Sequence, residues 1–351
     1  MVRNVYPNPY QNLTPEDWWH PDSLAGSAAP EILNSAQIDR FRHDGFLVVT
    51  GLWPDEFITQ AAEEAAGLHP FDEVVENRRG FSEMPWVQQR EAAPDVALNH
   101  MTVHPRALAA VAQLMEVTVL DLRLSQSHLI AKYGHHINRP GEAQDGTIAG
   151  DQDIHVDYGN NTLMVPPHRT SAEAVACLCY YSDVEEAGGA THFARADPGE
   201  LTTYAPERFN PPNFVIGSTN GSAGNDTGPR SPDRTEQRYR EEKPVHYKPG
   251  TCILYRLNAW HRGTPAALGK VRYTHHHVWR HRNAEWVNWQ SLAPRMSQMP
   301  TRFLAELSVE QRTVLGFAPP GDAYWTEETL DSVGRRYPEM DMSPYRAKLA
   351  S

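Results

Sequence analysis

Residues 246–280 read HYKPGTCILYRLNAWHRGTPAALGKVRYTHHHVWR, and this stretch decides the fold. It contains two strand-like runs, His246 to Leu257 and Arg272 to Arg280, with turn residues between them. Two further strand-like runs precede it, Val119 to Tyr133 and Ala174 to Ser182. None of the four alternates with the regular helices that a parallel βαβ sheet requires. We therefore expect a mainly β fold with flanking helices, built on a double-stranded β-helix (jelly roll, cupin-like) core.

The composition excludes several classes of function. Hydrophobic residues make up 40% of the 351 residues and charged residues 22%, and the apolar runs are far shorter than the roughly 20 residues of a membrane span. The formal net charge of -12 argues against a partner with a phosphate backbone. We expect a small-molecule substrate, no nucleic acid and no membrane partner, and the sequence leaves the oligomeric state open.

The N-terminal stretch and the cysteines bear on location. Met1 to Asp22 is polar and contains no apolar core of the kind found in a secretory signal. Three cysteines are too few for a disulfide framework, and Cys177 and Cys179, two residues apart in a strand-like run, are expected to be reduced and packed. The expected location is cytoplasmic.

Helix and strand signals divide the chain. Asn34 as N-cap, with Gln37 three residues later, predicts a helix that ends at Gly45 and is followed by a short strand, Phe46 to Val49. Further helices are predicted from Pro54 to about residue 67, from Pro105 to Met115 and from Trp325 to Arg336. We expect an N-terminal extension (1–32) and one domain (33–351), comprising a core at about 117–282, a mobile loop at about 217–242 and a C-terminal helical extension at about 283–351.

The candidate site is a set of two imidazoles and one carboxylate. In a strand, residues two apart face the same side, so His155 and Asp157 would project together. His261, from a distant strand, would complete a facial triad that leaves coordination positions open, as non-haem ferrous enzymes require. The same pattern occurs at His20-Pro21-Asp22, in a proline-containing segment where no strand is expected to hold the two side chains parallel. We therefore expect the metal at His155, Asp157 and His261.

Arg272 is the candidate for holding a carboxylate beside the metal. If the turn Gly263-Thr264-Pro265 returns the chain as the next strand, the guanidinium faces the metal pocket, where its planar fork suits a carboxylate. Thr274 shares that face and is a second candidate for the same carboxylate; His276 lies on that face too. His275 and His277 point the other way and are expected to be packing or exposed residues.

Two residues of an earlier strand are further candidates. Gln126 and Lys132 share one face of the run from Leu122 to Lys132, together with His128. A ligand pocket combines apolar walls with a few polar groups, so both are candidates for contacts with a co-substrate or a substrate. An outward-facing polar strip on an edge strand is the alternative.

These residues together resemble the phytanoyl-CoA dioxygenase family of Fe(II)- and 2-oxoglutarate-dependent oxygenases. The resemblance extends from about residue 33 to the end of the chain. It is carried by an entrance helix and strand, a proximal metal motif, a central hairpin, a distal metal motif and a C-terminal tail: Ile38 to Val49, Asp153 to Asp157, Tyr181 to Val184 with Gly188-Gly189-Ala190, Trp260-His261 with Arg272, and Gly316 to Gly321 with Tyr324-Trp325. After the hairpin the chain reads Phe193-Ala194-Arg195-Ala196-Asp197-Pro198-Gly199, where many members have Pro-Gly-Ser-His, so the family's name does not define this chain's substrate.

The resemblance implies Fe(II), 2-oxoglutarate and O2 as cofactors, with Arg272 on the far carboxylate of 2-oxoglutarate. It implies hydroxylation of an unactivated C–H bond in a lipid-like molecule or secondary metabolite, with release of succinate and CO2. Related halogenases have Gly or Ala in place of the metal carboxylate, so an intact Asp157 favours hydroxylation. Three alternatives remain open: desaturation or ring formation by the same site, a cupin-type metal enzyme without 2-oxoglutarate, and a non-catalytic binding jelly roll.

Overall fold

The computed structural model describes residues 10, 12–71, 79–83, 85, 96–134, 154, 157, 171–195, 232–267, 269–284 and 301–348. The helices of these residues, α1 to α10 in chain order, are Ser35–Asp44, Asp55–Leu68, Ala97–Met101, Pro105–Met115, Val184–Ala187, Pro232–Glu241, Thr301–Glu306, Val309–Val314, Glu327–Arg336 and Ser343–Arg346. The strands, β1 to β10, are Asp22–Ser23, Phe46–Thr50, Arg79–Glu83, Leu122–Tyr133, Ala174–Tyr180, Thr191–Phe193, Lys243–Pro244, Cys252–Arg256, His261–Gly263 and Val271–His281.

The strands form two sheets whose connections define a jelly roll. Within the described residues, a seven-stranded sheet has the order β1-β2-β8-β5-β10-β4-β3, and a three-stranded sheet has the order β7-β6-β9. Only β1 and β2 pair in parallel, and the other neighbours are antiparallel. From β5 to β10 the chain alternates between the sheets: β5, β8 and β10 belong to the large sheet, and β6, β7 and β9 belong to the small sheet. This alternation is the double-stranded β-helix that the sequence predicts.

The two faces of the large sheet have different partners. Cys177, Cys179 and Leu254 lie on the outer face, in one buried cluster with helices α1, α2 and α4. Leu178 and Tyr255 alternate with them and lie on the inner face, in a second cluster with residues of the small sheet. Because side chains alternate along a strand, β2, β5, β8 and β10 each supply both clusters. The inner face is where a ligand between the sheets would bind.

The helix and the strand predicted between Asn34 and Val49 are confirmed. The Asn34 side chain accepts a hydrogen bond from the backbone N–H of Gln37, and the Gln37 side chain accepts one from the backbone N–H of Asn34, which completes a capping box. Such a cap stabilises a helix by about 1 kcal/mol. Gly45 ends α1 with a φ of 85°, and β2 follows at once and pairs with β8. The helices predicted from Pro54 and Pro105 are α2 and α4, and the one predicted to end at Arg336 is α9.

Three details of the prediction are wrong. Residues 232–241 of the predicted mobile loop form α6, because Arg238 is buried and anchors the helix to the body of the protein. Val119 to Asp121 forms a 3-10 helix ahead of β4, since Thr118 and Asp121 form a capping box there. In the run predicted as a strand from His246, only Cys252–Arg256 is a strand, because Pro249 and Gly250 lie in a turn. The rest of the predicted loop, 217–231, lies outside the described residues.

The N-terminal residues contact the body of the protein. Asp22 and Ser23 pair with Val49 and Thr50, and Leu24 and Ile32 are buried in the outer cluster. Aromatic side chains from before β1 pack against the inner cluster, namely Tyr10, Trp18 and Trp19. A domain boundary at residue 32 stays a prediction. In the part of the chain that the structure describes, no helix combines the length and the apolar character needed to cross a bilayer.

Candidate metal centre

His261 is the first residue of β9 and lies between two aromatic rings. It pairs with Phe193 of β6, and the two rings stack at 5.2 Å between centroids with 16° between their planes. The centroid of the Tyr255 ring lies 5.0 Å from that of His261, with 57° between the ring planes. The Nδ1 of His261 is 3.0 Å from the carbonyl oxygen of Ala259, which can only accept a hydrogen bond. In the neutral ring Nδ1 therefore carries the proton, and Nε2 presents its lone pair for a metal.

Asp157 lies beside that nitrogen. Its Oδ2 is 3.6 Å from His261 Nε2 and accepts a hydrogen bond of 2.9 Å from the hydroxyl of Tyr255. Tyr255 is buried, and burial, reinforced by the negative charge of Asp157, raises its pKa well above the usual value. The hydroxyl therefore remains protonated at neutral pH and donates to the carboxylate, which fixes Oδ2 beside His261.

The donor set fits a divalent transition metal. Ligand bonds of about 2.1 Å place neighbouring donors of an octahedral ion about 3.0 Å apart, and the observed 3.6 Å lies within about 0.6 Å of that. One imidazole and one carboxylate are ligands that such ions accept, and no cluster of three ligand-type side chains occurs within the described residues. The third predicted ligand, His155, lies outside the described residues, so its role stays a prediction.

Arg272 is buried at the start of β10, which confirms the predicted return of the chain as a strand. Its Nη1 donates to the carbonyl oxygen of Gly189, while its Nε has no hydrogen-bond partner within the described residues. Gly189 is required there, because its φ is 62° and a Cβ would lie 2.8 Å from the Pro265 carbonyl oxygen. A buried guanidinium with such a donor has the chemistry to bind an anion.

The other predicted residues of this face divide into two groups. Thr274 is buried on the same face as Arg272, as predicted, and its Oγ1 is 3.2 Å from His276 Nε2. Lys132 of β4 lies directly opposite Arg272 in the register. Gln126 is instead opposite Val278, six residues along β10 from Arg272, which corresponds to about 20 Å of strand. The structure therefore brings Lys132, but not Gln126, alongside Arg272.

Gln126 has a partner of its own. Its Nε2 is 2.6 Å from His128 Nδ1, and both side chains are buried. His128 lies opposite His276 in the register, so the three share the inner face. These polar side chains face the space between the sheets, and the alternative of an outward-facing strip on an edge strand is wrong because β3 pairs with β4 on its other side.

The remaining histidines of β10 lie on the outer face. His275 is fully buried, with Nε2 2.8 Å from Ser127 Oγ and Nδ1 3.0 Å from Tyr181 Oη. His277 is equally buried, but neither ring nitrogen has a hydrogen-bond partner among the described residues. Burial lowers the pKa of His275 well below its usual value and that of His277 to about 3, so both rings are neutral. They are packing residues.

The second His-x-Asp pattern lies at His20 and Asp22, and the expectation that no strand surrounds it is wrong. Asp22 begins β1, and its Oδ2 forms an ion pair of 2.9 Å with Arg40. The ring of His20 turns elsewhere, with Nε2 3.0 Å from the Pro15 carbonyl oxygen. The two side chains therefore have separate partners, and the interpretation of this copy as a decoy stays a prediction.

Sequence reasoning missed Tyr255. Tyr255 lies two residues after Ile253 in a strand-like run, which indicates that both share one face, but only the fold shows that the Tyr255 hydroxyl reaches Asp157. It also missed a polar cluster beside His261, formed by Tyr239, Glu242 and Arg262.

Comparisons with known proteins give matches of fold only. No family model matches the sequence, and no curated protein matches it at a significant level. Among solved structures, the chain is similar to the non-haem alpha ketoglutarate dependent carbocyclase SnoK from nogalamycin biosynthesis, with 14% identity, 73% of this chain and 87% of that chain covered, and a TM-score of 0.48. The epimerase SnoN, in complex with Fe3+, alpha ketoglutarate and nogalamycin RO, matches with 17% identity, 70% and 82% coverage and a TM-score of 0.44.

HygX from Streptomyces hygroscopicus, with nickel and 2-oxoglutarate bound, matches with 17% identity, 72% and 88% coverage and a TM-score of 0.43. These scores all lie below 0.5. The assignment of the jelly roll therefore depends on the strand order and register of the chain itself.

Proposed function

We propose that the chain is an Fe(II)- and 2-oxoglutarate-dependent oxygenase of the phytanoyl-CoA dioxygenase type, which hydroxylates an unactivated C–H bond of a small molecule. The observation that carries the proposal is the pair formed by Asp157 and His261. His261 Nε2 and Asp157 Oδ2 lie 3.6 Å apart, and a hydrogen bond orients each side chain: His261 Nδ1 donates to the Ala259 carbonyl oxygen, and Asp157 accepts from the Tyr255 hydroxyl. With His155 as third ligand, the set is the facial triad of non-haem ferrous enzymes.

Arg272 supports 2-oxoglutarate as the co-substrate. The guanidinium is fixed by Gly189 on one side, and its Nε lacks a partner within the described residues. A planar fork in this position suits the carboxylate of 2-oxoglutarate that does not bind the metal. We place Thr274 and Lys132 at the same carboxylate, since Thr274 shares the face of Arg272 and Lys132 lies opposite it.

The reaction divides between the cofactors and the protein. Bound Fe(II), O2 and 2-oxoglutarate supply the oxidising power, with succinate and CO2 as products. The protein fixes the ligand orientation through Tyr255 and Ala259, holds the co-substrate through Arg272 and excludes water between the sheets. Gln126 is assigned to the substrate, a lipid-like molecule or secondary metabolite, because it lies far along the strand from Arg272.

Retention of Asp157 as a metal carboxylate supports hydroxylation over halogenation. Desaturation or ring formation would use the same residues, and product analysis distinguishes them from hydroxylation. We place the enzyme in the cytoplasm, because Cys177, Cys179 and Cys252 are all free thiols and all buried.

The proposal is tested by anaerobic addition of Fe(II) and then 2-oxoglutarate to the full chain. We expect a weak visible charge-transfer band that saturates with 2-oxoglutarate. Arg272→Ala should weaken 2-oxoglutarate binding by roughly 100-fold, as expected when a charged hydrogen-bonding pair of about 3 kcal/mol is lost. The matched control is Arg282→Ala, which removes a half-exposed arginine that pairs with Asp121 outside the site.

Iron binding without a 2-oxoglutarate band would contradict the proposal and indicate a cupin-type metal enzyme. Absence of iron binding would indicate a non-catalytic jelly roll.

A further inference from the structure

Two contacts connect α6 to the segments that carry the metal ligands. The backbone N–H of Ile154 donates to the hydroxyl of Tyr239 at 3.0 Å. The guanidinium of Arg262 lies over the ring of the same tyrosine, with 5.6 Å from Cζ to the ring centroid. Ile154 precedes Asp157 by three residues, and Arg262 directly follows His261. One side chain of α6 therefore contacts the chain next to both ligands.

A buried carboxylate holds Arg262 in this position. Arg262 Nε donates to both oxygens of Glu242 at 2.9 Å, and Nη2 donates to Oε1 at 2.7 Å. His192 of β6 adds a contact of 3.1 Å to the same oxygen. Burial alone would raise the pKa of Glu242, but the hydrogen bonds from His192 and Arg262 outweigh it and lower the pKa. Glu242 is thus an ionised, fully engaged anchor.

The position of α6 is itself fixed. Arg238 is buried, and its Nη1 donates to the Arg195 carbonyl oxygen at 2.9 Å and to Glu241 at 2.7 Å. Arg195 follows β6, the strand that pairs with β9 and its His261. Tyr239 is therefore held relative to the strand that carries one ligand, while its hydroxyl binds the backbone ahead of the other.

We propose that Tyr239, Glu242 and Arg262 form a clamp that sets the position of the Ile154 backbone relative to β9, and thereby the spacing between Asp157 and His261 and the metal affinity. Tyr239 and Glu242 are positioning residues, since they act through the backbone at Ile154 and through Arg262. The proposal rests on the proposed function to the extent that Asp157 and His261 hold a metal. Groups that orient ligands contribute roughly 10- to 100-fold to metal affinity at other sites.

Tyr239→Phe is the sharpest variant. It keeps the ring under Arg262 and removes only the oxygen that accepts the Ile154 N–H. Because 38% of Tyr239 is exposed, the change does not open a cavity in the core. Tyr324→Phe is the matched control, since it removes a hydroxyl from a tyrosine that is 50% exposed in the C-terminal helical region.

Three measurements on the full chain test the clamp: Co(II) affinity by anaerobic titration, exchange of the Ile154 amide by residue-resolved hydrogen–deuterium exchange, and thermal unfolding. For Tyr239→Phe we expect Co(II) affinity to fall roughly tenfold and Ile154 exchange to rise roughly tenfold, with an unchanged melting temperature. Tyr324→Phe should leave all three unchanged. Glu242→Gln keeps the shape of the side chain but removes the negative charge and one of the two oxygens that accept from Arg262, and it should also lower Co(II) affinity; an affinity equal to wild type would contradict the role of Glu242.

The outcomes separate the clamp from the proposed function. If Tyr239→Phe binds Co(II) with the same affinity as wild type, the clamp is wrong and the proposed function is unaffected. Wild-type protein that binds no Co(II) would overturn both. A loss of affinity in Tyr239→Phe, in a protein that gives no charge-transfer band with 2-oxoglutarate, would support the clamp and contradict the assigned co-substrate.

Discussion

His277 and His275 allow a matched pair of substitutions that tests how the outer face of β10 is packed. Both side chains are fully buried, two residues apart on one strand. They differ in hydrogen bonding, because His275 contacts Ser127 and Tyr181 whereas neither ring nitrogen of His277 has a partner among the described residues. Leucine is close to histidine in volume, so His277→Leu and His275→Leu separate the polar contribution from packing.

The two variants should differ in how much they change the free energy of unfolding. His275→Leu removes two hydrogen bonds and leaves the hydroxyls of Ser127 and Tyr181 buried without them, which should cost about 2–4 kcal/mol in the free energy of unfolding. His277→Leu removes no hydrogen bond within the described residues and replaces an unsatisfied polar ring by an apolar group. Near neutral pH it should therefore change the stability by less than about 1 kcal/mol, or increase it.

The pH dependence gives a second test on the same protein. Burial holds the pKa of His277 at about 3, against 6.5 for an exposed histidine. Between these values the unfolded chain takes up a proton that the folded chain does not, so stability falls as the pH is lowered. At about pH 5 this histidine alone should cost about 2 kcal/mol relative to neutral pH. His277→Leu should abolish that share of the acid destabilisation.

The assay is urea denaturation of the metal-free protein at about pH 7.5 and about pH 5, compared with the two variants at the same values. Equal losses for the two variants at neutral pH would refute the description of this face. An unchanged acid dependence in His277→Leu would refute the lowered pKa. Loss of iron binding in His277→Leu would show that the triple histidine is a metal site after all.

Three further predictions concern the inner face. Tyr255→Phe removes the hydrogen bond to Asp157 and should lower Fe(II) affinity roughly 10- to 100-fold in an anaerobic titration; an unchanged affinity would show that the hydroxyl does not orient the ligand. Gly189→Ala forces a Cβ towards the Pro265 carbonyl oxygen at a φ of 62° and should lower the free energy of unfolding by about 1–2 kcal/mol in thermal unfolding. Because the Gly189 carbonyl oxygen holds Arg272, the KM for 2-oxoglutarate should also rise. A KM equal to wild type would show that this carbonyl oxygen does not position Arg272 for the co-substrate. Arg272→Lys keeps the charge but not the fork, so the KM for 2-oxoglutarate should rise roughly tenfold with little change in kcat, whereas a normal KM would mean that charge alone suffices.

The features predicted correctly from the sequence are those set by local geometry. Alternation along a strand separates Arg272 and Thr274 from His275 and His277 wherever β10 lies in the sheet. The capping box of α1 and its end at Gly45 depend on residues a few positions apart. Neither needs knowledge of the rest of the chain.

The features missed depend on residues distant in sequence. Pro232–Glu241 is highly polar, so its composition suggests a loop, whereas its helix is held by long-range contacts such as that of Arg238 with the Arg195 carbonyl oxygen. Tyr255 and Asp157 are 98 residues apart, and local sequence patterns do not indicate that the hydroxyl of one reaches the carboxylate of the other. The short strand at Asp22 likewise exists because β2 offers it an edge.

The most direct test of the central claim is the amount of Fe(II) bound by anaerobically loaded and desalted protein. Wild type should retain one iron per chain, and so should His20→Ala and His277→Leu. Asp157→Ala and His261→Ala should each lose it while remaining folded, because each removes one of two donors that lie 3.6 Å apart. Stoichiometric iron in either of these two variants would contradict the assignment of the metal centre.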